Sequence, residues 1–398
     1  MTDGFATRAV HVGQDPDPVT GAVVPPLTLA TTFVMDAAGT PRAGYDYARS
    51  GTPGRTSFES ALASLEGGAA ALAFPSGLSA EDTLLRVLTR AGDAVVFGGD
   101  VYGGTFRLLT AALAHDGRRG VPVDAADLAA TAAVIEAERP VVVWVETPSN
   151  PLLQIADLAG LASAAHAVGA LLVVDNTFAS PALQRPLEFG ADVVVHSTTK
   201  LIGGHSDMTG GAVVTASGAV LSARRTGAGG GTSVIDEVGW LRNAVGAVPG
   251  PFDVWLAARG LKTLRLRAMH ASASALRLAE HFAARAASGA RDVVEVIYPG
   301  LAAHPGHALA TRQMDAYGTV VSLRCASPEL ARAVCERTRL FALAVSLGAV
   351  ESLIEHPASM THATKKDSPQ AVADEIIRLS IGLEDVEDLI ADLEQAFA

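Results

Sequence analysis

Four short apolar runs rich in β-branched residues, Ala94–Phe97, Val141–Val145, Leu171–Val174 and Val193–Val195, each step abruptly into polar residues or glycine. Runs of this length with no polar alternation fit strands buried on both faces, which occur where helices cover a parallel sheet. Helix-like segments alternate with strand-like ones along this part of the chain. Phe58, Leu62 and Leu65, for example, share one face of a segment that stops at Gly67-Gly68. The pattern predicts an α/β chain with a large, mostly parallel sheet. Open sheets of this kind bind ligands just beyond the carboxyl ends of their strands, so the residues after each run are where chemistry is expected.

Those residues are Asp100-Val-Tyr102-Gly-Gly, Glu146-Thr-Pro-Ser-Asn150-Pro, Asp175-Asn-Thr177 and Ser197-Thr-Thr199-Lys200. They bring a carboxylate, a phenol, an amide, hydroxyls and an amine to one sheet edge. Phe74-Pro-Ser-Gly77-Leu78 reads as a strand ending in a turn that opens a helix, whose free N–H groups and positive dipole end suit a phosphate. Pyridoxal 5′-phosphate needs all of these together. Lys200 offers the amine for a Schiff base, Asp175 the anion that keeps the pyridine nitrogen protonated, and Tyr102 the ring that stacks on it. Taken singly, Asp175 is a helix cap, Tyr102 a core residue and Ser76-Gly77 a helix start. Ser197-Thr-Thr-Lys200 also has the Ser-X-X-Lys form of a serine acyl-enzyme, but the Ser-Asp-Asn and Lys-Thr-Gly partners are absent from the chain. The joint occurrence at successive strand ends favours the cofactor.

Six of the twenty prolines fall in the first fifty-odd residues, which show no sustained periodicity and predict an arm over 1–56. A cofactor-binding α/β domain is expected over 57–247. After Gly227–Gly231 and Gly246–Pro251 a smaller α+β domain is expected over 248–398, ending in an alternating strand, Ile377–Ile381, and a helix with Val386, Leu389, Ile390, Leu393 and Phe397 on one face. The net charge of −12, with no dense Lys/Arg block, argues against nucleic acid as a partner. No secretory signal and no run near the ~20 apolar residues of a membrane span is present, which predicts a cytoplasmic protein with no membrane partner. Cys325 and Cys335 lack metal-ligand spacing and sit in apolar surroundings, so they are expected to be buried thiols, and no metal is expected.

The chain resembles the γ-family of pyridoxal phosphate enzymes of transsulfuration almost end to end. The likeness is carried by Tyr47-Ala-Arg49, Asp100–Gly104, Glu146–Pro151, Val174–Phe178, His196–Lys200, Arg259–Leu264, Tyr298–Leu301, Ser352–His362 and Arg378–Asp385. It implies a type I aminotransferase-like fold and a homotetramer built from two active dimers. By the same likeness Tyr47 and Arg49 reach from the arm into the neighbouring subunit's phosphate site, joining Gly77, Leu78, Ser197 and Thr199. Thr177 belongs to the cofactor contacts, Asn150 hydrogen-bonds the cofactor's O3′, and Arg378 with Ser346 clamps the substrate's α-carboxylate.

Two departures bear on substrate and arm. Val345 stands where members acting on cystathionine commonly have glutamate, and Gly104 where methionine γ-lyases have cysteine. The arm reads Gly51-Thr-Pro-Gly54 in place of the family's Gly-Asn-Pro-Thr. The expected activity is a carbon–sulfur lyase that takes a small amino acid of the L-cystathionine or L-methionine type to 2-oxobutanoate, ammonia and a thiol by γ-elimination. Lys200 and Tyr102 are its expected catalytic groups. γ-Replacement, as in cystathionine γ-synthase or an O-acylhomoserine sulfhydrylase, would use the same residues. A non-catalytic relative that only binds the cofactor would need neither Lys200 nor Arg378.

Overall fold

A computed structural model describes residues 3–221, 229–362 and 371–398; Met1 and Thr2, and Gly227 and Ala228 of the glycine-rich stretch, lie outside them. The arm holds a two-stranded ribbon, β1 (Met35–Ala37) with β2 (Thr40–Pro41). It also begins with a helix, Phe5–His11, which the sequence did not announce. Seven residues are too few to display a helical period, and this helix owes its place to tertiary contacts: Ala9 is buried, and the Arg8 guanidinium donates to the Ser64 carbonyl. The helix beneath it, Pro53–Glu66, is capped by Thr52, whose hydroxyl accepts from the Arg55 N–H at 3.3 Å. It ends at Gly67 with φ of 73°, and Phe58, Leu62 and Leu65 are buried on its inner face.

The large sheet comprises β3 (Ala70–Phe74), β4 (Ala94–Gly98), β5 (Arg119–Val123), β6 (Val142–Glu146), β7 (Leu171–Asp175), β8 (Val193–His196) and β9 (Gly211–Thr215). Its order is β3-β9-β8-β7-β6-β4-β5, parallel except that β9 runs against both neighbours. The four apolar runs are its central strands, and every residue of β4, β6 and β8 is buried. β5 escaped the sequence pattern because it lies at the edge, where Arg119 is exposed and Pro122 needs no ladder partner on its open side.

The smaller sheet contains β10 (Val293–Ile297), β11 (Val320–Cys325), β12 (Ala342–Leu343), β13 (Leu353–Glu355) and β14 (Ile376–Ser380), in the order β10-β11-β14-β13-β12. Alternation in β14 predicted one polar face, yet all five residues are buried. That face turns inward: Arg378 bonds to Asn150, and Ser380 accepts from the Gly348 N–H. The helix Leu264–Ala287 joins the two cores, packing Leu264 and Ala268 with Phe58 and Leu62, then Ala275, Leu278 and Phe282 with the small sheet. Cys325 and Cys335 are free and buried in that second core, and burial pushes both thiols up to about 12. Among the described residues no helix is long and apolar enough to cross a membrane.

The same long helix fixes the turn after β8. Buried Arg267 donates to the carbonyls of Leu201 and Gly260, both at 2.8 Å, and so ties the segment just after Lys200 to the helix Pro251–Leu261. Gly260 makes that approach possible, because a Cβ there would stand 2.3 Å from the Ile202 carbonyl oxygen. Gly260→Ala is expected to cost about 1–3 kcal/mol by overpacking. Gly239→Ala, whose new Cβ meets nothing closer than 3.6 Å, should be near neutral. Denaturant midpoints of the two variants check this, and equal midpoints would remove the packing argument.

Candidate active site

Beyond the carboxyl ends of β4, β6, β7 and β8 lies a cavity of about 450 Å³. Its floor is Asp175, the last residue of β7, set in register between Glu146 of β6 and Val195 of β8 and 6 % exposed. Burial pushes the Asp175 carboxyl up, while hydrogen bonds from Thr177 and the nearby His196 oppose the rise. The Thr177 N–H donates to Asp175 Oδ1 at 3.0 Å, and the Thr177 hydroxyl accepts from the Ser197 N–H at 2.8 Å. These bonds couple the ends of two strands.

Lys200 enters from the turn after β8, and its Nζ donates to Ser346 Oγ at 2.7 Å. Ser346 has φ of 109°, a conformation that costs a non-glycine residue about 1–3 kcal/mol and concentrates at functional sites. The strained residue faces both key cations: its hydroxyl meets Lys200, and its carbonyl accepts from Arg378 Nη2 at 2.7 Å. Burial first, and the Arg378 charge second, lower Lys200 to about 8, with Glu355 opposing. Acylation of Lys200 in cofactor-free protein should therefore rise about tenfold per pH unit and level off near pH 8, whereas an ordinary lysine continues to about 10.4. Mass spectrometry of the Lys200 peptide across pH 6–10 would measure it; a profile still rising at pH 10 would contradict the burial argument.

The phosphate end is built by the helix Gly77–Leu88. Ser76 caps it by accepting from the Ser79 N–H at 3.1 Å, which leaves the Gly77 and Leu78 N–H groups at the open end. A Cβ on Gly77 would meet Ser197 Cβ at 3.0 Å, and one on Gly211 would stand 2.2 Å from the Ser76 carbonyl oxygen. Only glycine lets these segments close into a cradle. Leu78, Ser197 and Thr199 line the cavity with Gly77, and the Thr199 hydroxyl is fixed by the Gly210 backbone.

Tyr102 stands at the mouth, 39 % exposed, with its N–H bound to Glu146 Oε2 at 2.8 Å. Its ring lies over Gly104, where a Cβ would come within 2.5 Å of it. Arg378 is 3 % exposed; its Nη1 lies 2.9 Å from Glu355 Oε1 and 2.9 Å from Asn150 Oδ1, and its Nε is buried without a partner. Val345 is an exposed apolar residue of the cavity wall.

Tyr47 and Arg49 do not join them. Arg49 donates to the carbonyl and side-chain oxygens of Asn243 at 2.9 and 3.0 Å and lies over the Tyr47 ring, 5.6 Å from its centre. Neither lines the cavity of its own chain.

Sequence reasoning missed Glu355, Glu81, Arg107, Thr209, Met360 and Thr361. Glu355 became legible only with the register of β13 against β14, which sets it opposite Arg378. Glu81 left a signal, because Glu81, Leu84, Leu85 and Leu88 share one face of their helix.

The donor set suits pyridoxal phosphate. A glycine cradle at a helix N-terminus faces the phosphate end, a buried carboxylate forms the floor, and a poised amine and a half-exposed phenol complete the wall. The family described as Cys/Met metabolism PLP-dependent enzyme matches residues 6–398. A cystathionine gamma-synthase of Mycobacterium tuberculosis is 49% identical over 394 residues, 99% of this chain and 96% of the relative. The structure of cystathionine gamma synthase from Xanthomonas oryzae pv. oryzae in complex with cystathionine is similar with a TM-score of 0.91 and 43% identity, covering 100% of this chain and 98% of that one. A methionine gamma lyase from Micromonospora echinospora is similar with a TM-score of 0.86 and 42% identity, covering 100% and 99%.

Proposed function

Because the chain belongs to the Cys/Met metabolism PLP-dependent enzymes and pyridoxal phosphate is its cofactor, we propose that it catalyses γ-elimination from a sulfur amino acid of the L-methionine or L-cystathionine type, releasing 2-oxobutanoate, ammonia and a thiol. When bound, the cofactor supplies an electron sink for the negative charge that develops at the substrate's α-carbon. Arg378 holds the substrate carboxylate, with Ser346 beside it, as a guanidinium fork is suited to do. Lys200, neutral in a useful fraction near pH 8, takes the α-proton on Nζ, a second proton leaves the β-carbon before the γ-sulfur departs, and one water completes the release of 2-oxobutanoate and ammonia. The Tyr102 hydroxyl, at the mouth, gives a proton to the departing sulfur.

Val345 supports a substrate of the L-methionine type over L-cystathionine. An apolar residue in the cavity wall offers no countercharge to a distal ammonium, so a substrate with an apolar γ-substituent fits it best.

γ-Replacement is the second reading. Relatives that carry the synthase name favour it. So does an adjoining cavity that shares Thr199, Thr209, Val345 and Ser346 with the first and adds the carboxylates of Asp207, Asp253 and Glu351, which suit a second amino acid's ammonium. Purified protein assayed in parallel with L-methionine, L-cystathionine, L-homocysteine and O-acylated homoserines, with and without L-cysteine, separates the two. Release of 2-oxobutanoate from none of the sulfur amino acids would sink the lyase reading.

The arm adds a proposal about assembly. Tyr47 and Arg49 stay outside their own chain's cavity, and the arm exposes Val19, Val23, Leu29 and Val34. These features suit an arm that docks on a neighbour and offers it a cation for the phosphate, as in an active dimer, with two such dimers making the expected tetramer. Arg49→Ala chains mixed with Lys200→Ala chains should then recover part of the activity that neither parent has. No recovery after verified subunit exchange would return Arg49 to its own chain.

A further inference from the structure

Glu355 and Arg378 face each other across β13 and β14, and the turn that follows β13 folds a third group onto them. Met360 and His362 donate backbone N–H groups to the carbonyls of His356 and Pro357, at 3.1 and 2.8 Å, which brings Thr361 back over the strand that the chain has just left. Its hydroxyl donates to Glu355 Oε1 at 2.8 Å. That oxygen also meets Arg378 Nη1 at 2.9 Å, whereas Glu355 Oε2 is buried without a partner. Among the described residues Thr361 is therefore the one group besides Arg378 that sets the tilt of the carboxylate. His362 closes a ring: its Nδ1 meets the Thr361 hydroxyl at 2.9 Å, its Nε2 donates to the Asn150 carbonyl at 3.1 Å, and Asn150 Oδ1 accepts from Arg378 Nη1 at 2.9 Å. A carboxylate oxygen only accepts, so the Thr361 proton is committed to Glu355.

The ring occupies the N–H groups of Arg378 Nη1, and the Ser346 carbonyl takes one of Nη2. The other Nη2 N–H and the Nε–H, which is buried without a partner, are the donors left for a substrate carboxylate. The guanidinium is planar and turns as one body, so holding Nη1 also aims the free donors. We infer that Thr361 is a positioning residue of the carboxylate clamp, fixing the plane of Arg378 through Glu355. Thr361 lines the cavity, but it acts on the substrate through Arg378 and not by touch. The inference rests on Arg378 as the clamp in the proposed reaction and holds for elimination and replacement alike.

Wild-type holoenzyme, Thr361→Val, Thr361→Ser and Arg378→Ala, checked for fold by circular dichroism, would be titrated with L-alanine and with L-alaninamide, which lacks the carboxylate, and followed by the cofactor's visible absorbance. Thr361→Val keeps the shape and loses the proton. It should weaken L-alanine binding about tenfold, the scale of one buried hydrogen bond to a charged group, and change L-alaninamide binding by less than about twofold. Thr361→Ser keeps the proton and should stay within about threefold of wild type with both probes. Added to Arg378→Ala, Thr361→Val should weaken L-alanine no further, because the group it acts through is gone. Equal weakening of both probes would make Thr361 a mere wall of the cavity, and equal weakening by valine and serine would make it packing. Additive weakening on Arg378→Ala would make it a direct contact; each of these overturns the inference. Arg378→Ala tests the clamp separately. If that variant binds L-alanine as wild type does, the clamp reading falls and the inference with it, whereas weakened Arg378→Ala beside unaffected Thr361→Val sinks the inference alone.

Discussion

Lys200→Ala is expected to lower turnover by about 10⁴-fold or more while leaving a folded chain, because it removes at once the amine that attaches the cofactor and the base that takes the α-proton. Little packing is lost with it. The Nζ bonds to Ser346 Oγ, and the segment that follows Lys200 is held separately by Arg267. In cofactor-free protein the substitution should even relieve a burden. Lys200 falls from 10.5 to about 8 on folding, so the unfolded chain binds more protons between those values. Wild-type stability therefore rises with pH across that window, and the penalty is fully present below about pH 8. The stability of Lys200→Ala relative to wild type should accordingly be greatest near neutral pH and shrink from pH 8 to 10.5, as thermal melts at several pH values would show. Appreciable 2-oxobutanoate release by the variant would mean that the catalytic amine has been misassigned.

Arg378→Ala should weaken substrate binding by about 2–5 kcal/mol, roughly 30-fold to several thousand-fold, because it leaves a substrate carboxylate in a buried site without its cation. The same substitution strands Glu355, whose side chain is 1 % exposed, and breaking a buried pair from one side destabilises proteins by about 3–5 kcal/mol. A loss of activity alone would thus confuse binding with folding. The double variant Arg378→Ala with Glu355→Gln separates them, since it removes the stranded charge without restoring the clamp. Its melting temperature should recover towards wild type while KM stays high and the cofactor's visible absorbance persists. If instead KM is ordinary and the cofactor is lost, Arg378 belongs to the phosphate site.

The contrast between Lys200 and Arg378 shows how the site was legible. Lys200, Asp175 and the Gly77 turn could be located because each lies within a few residues of a buried strand, and a buried parallel strand writes itself into the sequence as an uninterrupted β-branched run. Chain direction then places every such strand end on one edge of the sheet. Arg378 sits on a strand too, but alternation there marked only a polar face, and its role entered through the family likeness. That side is in fact covered by Asn150 and the Ser346–Gly348 turn, which come from elsewhere in the chain.

By itself, then, the sequence determined the α/β class, the strand ends that carry the chemistry, the glycine turn at the phosphate end and, through its motifs, the cofactor. These are local properties, set by the period of apolar residues and by the few conformations that glycine and capping side chains permit. Tertiary structure alone decided the pairing of Glu355 with Arg378, the strained Ser346 that joins Lys200 to Arg378, and the place of Arg49 outside its own cavity. Each of these depends on bringing together residues distant in sequence, and on the removal of water that follows. It is that desolvation, invisible in any string of residues, that lowers the pKa of Lys200 towards neutrality.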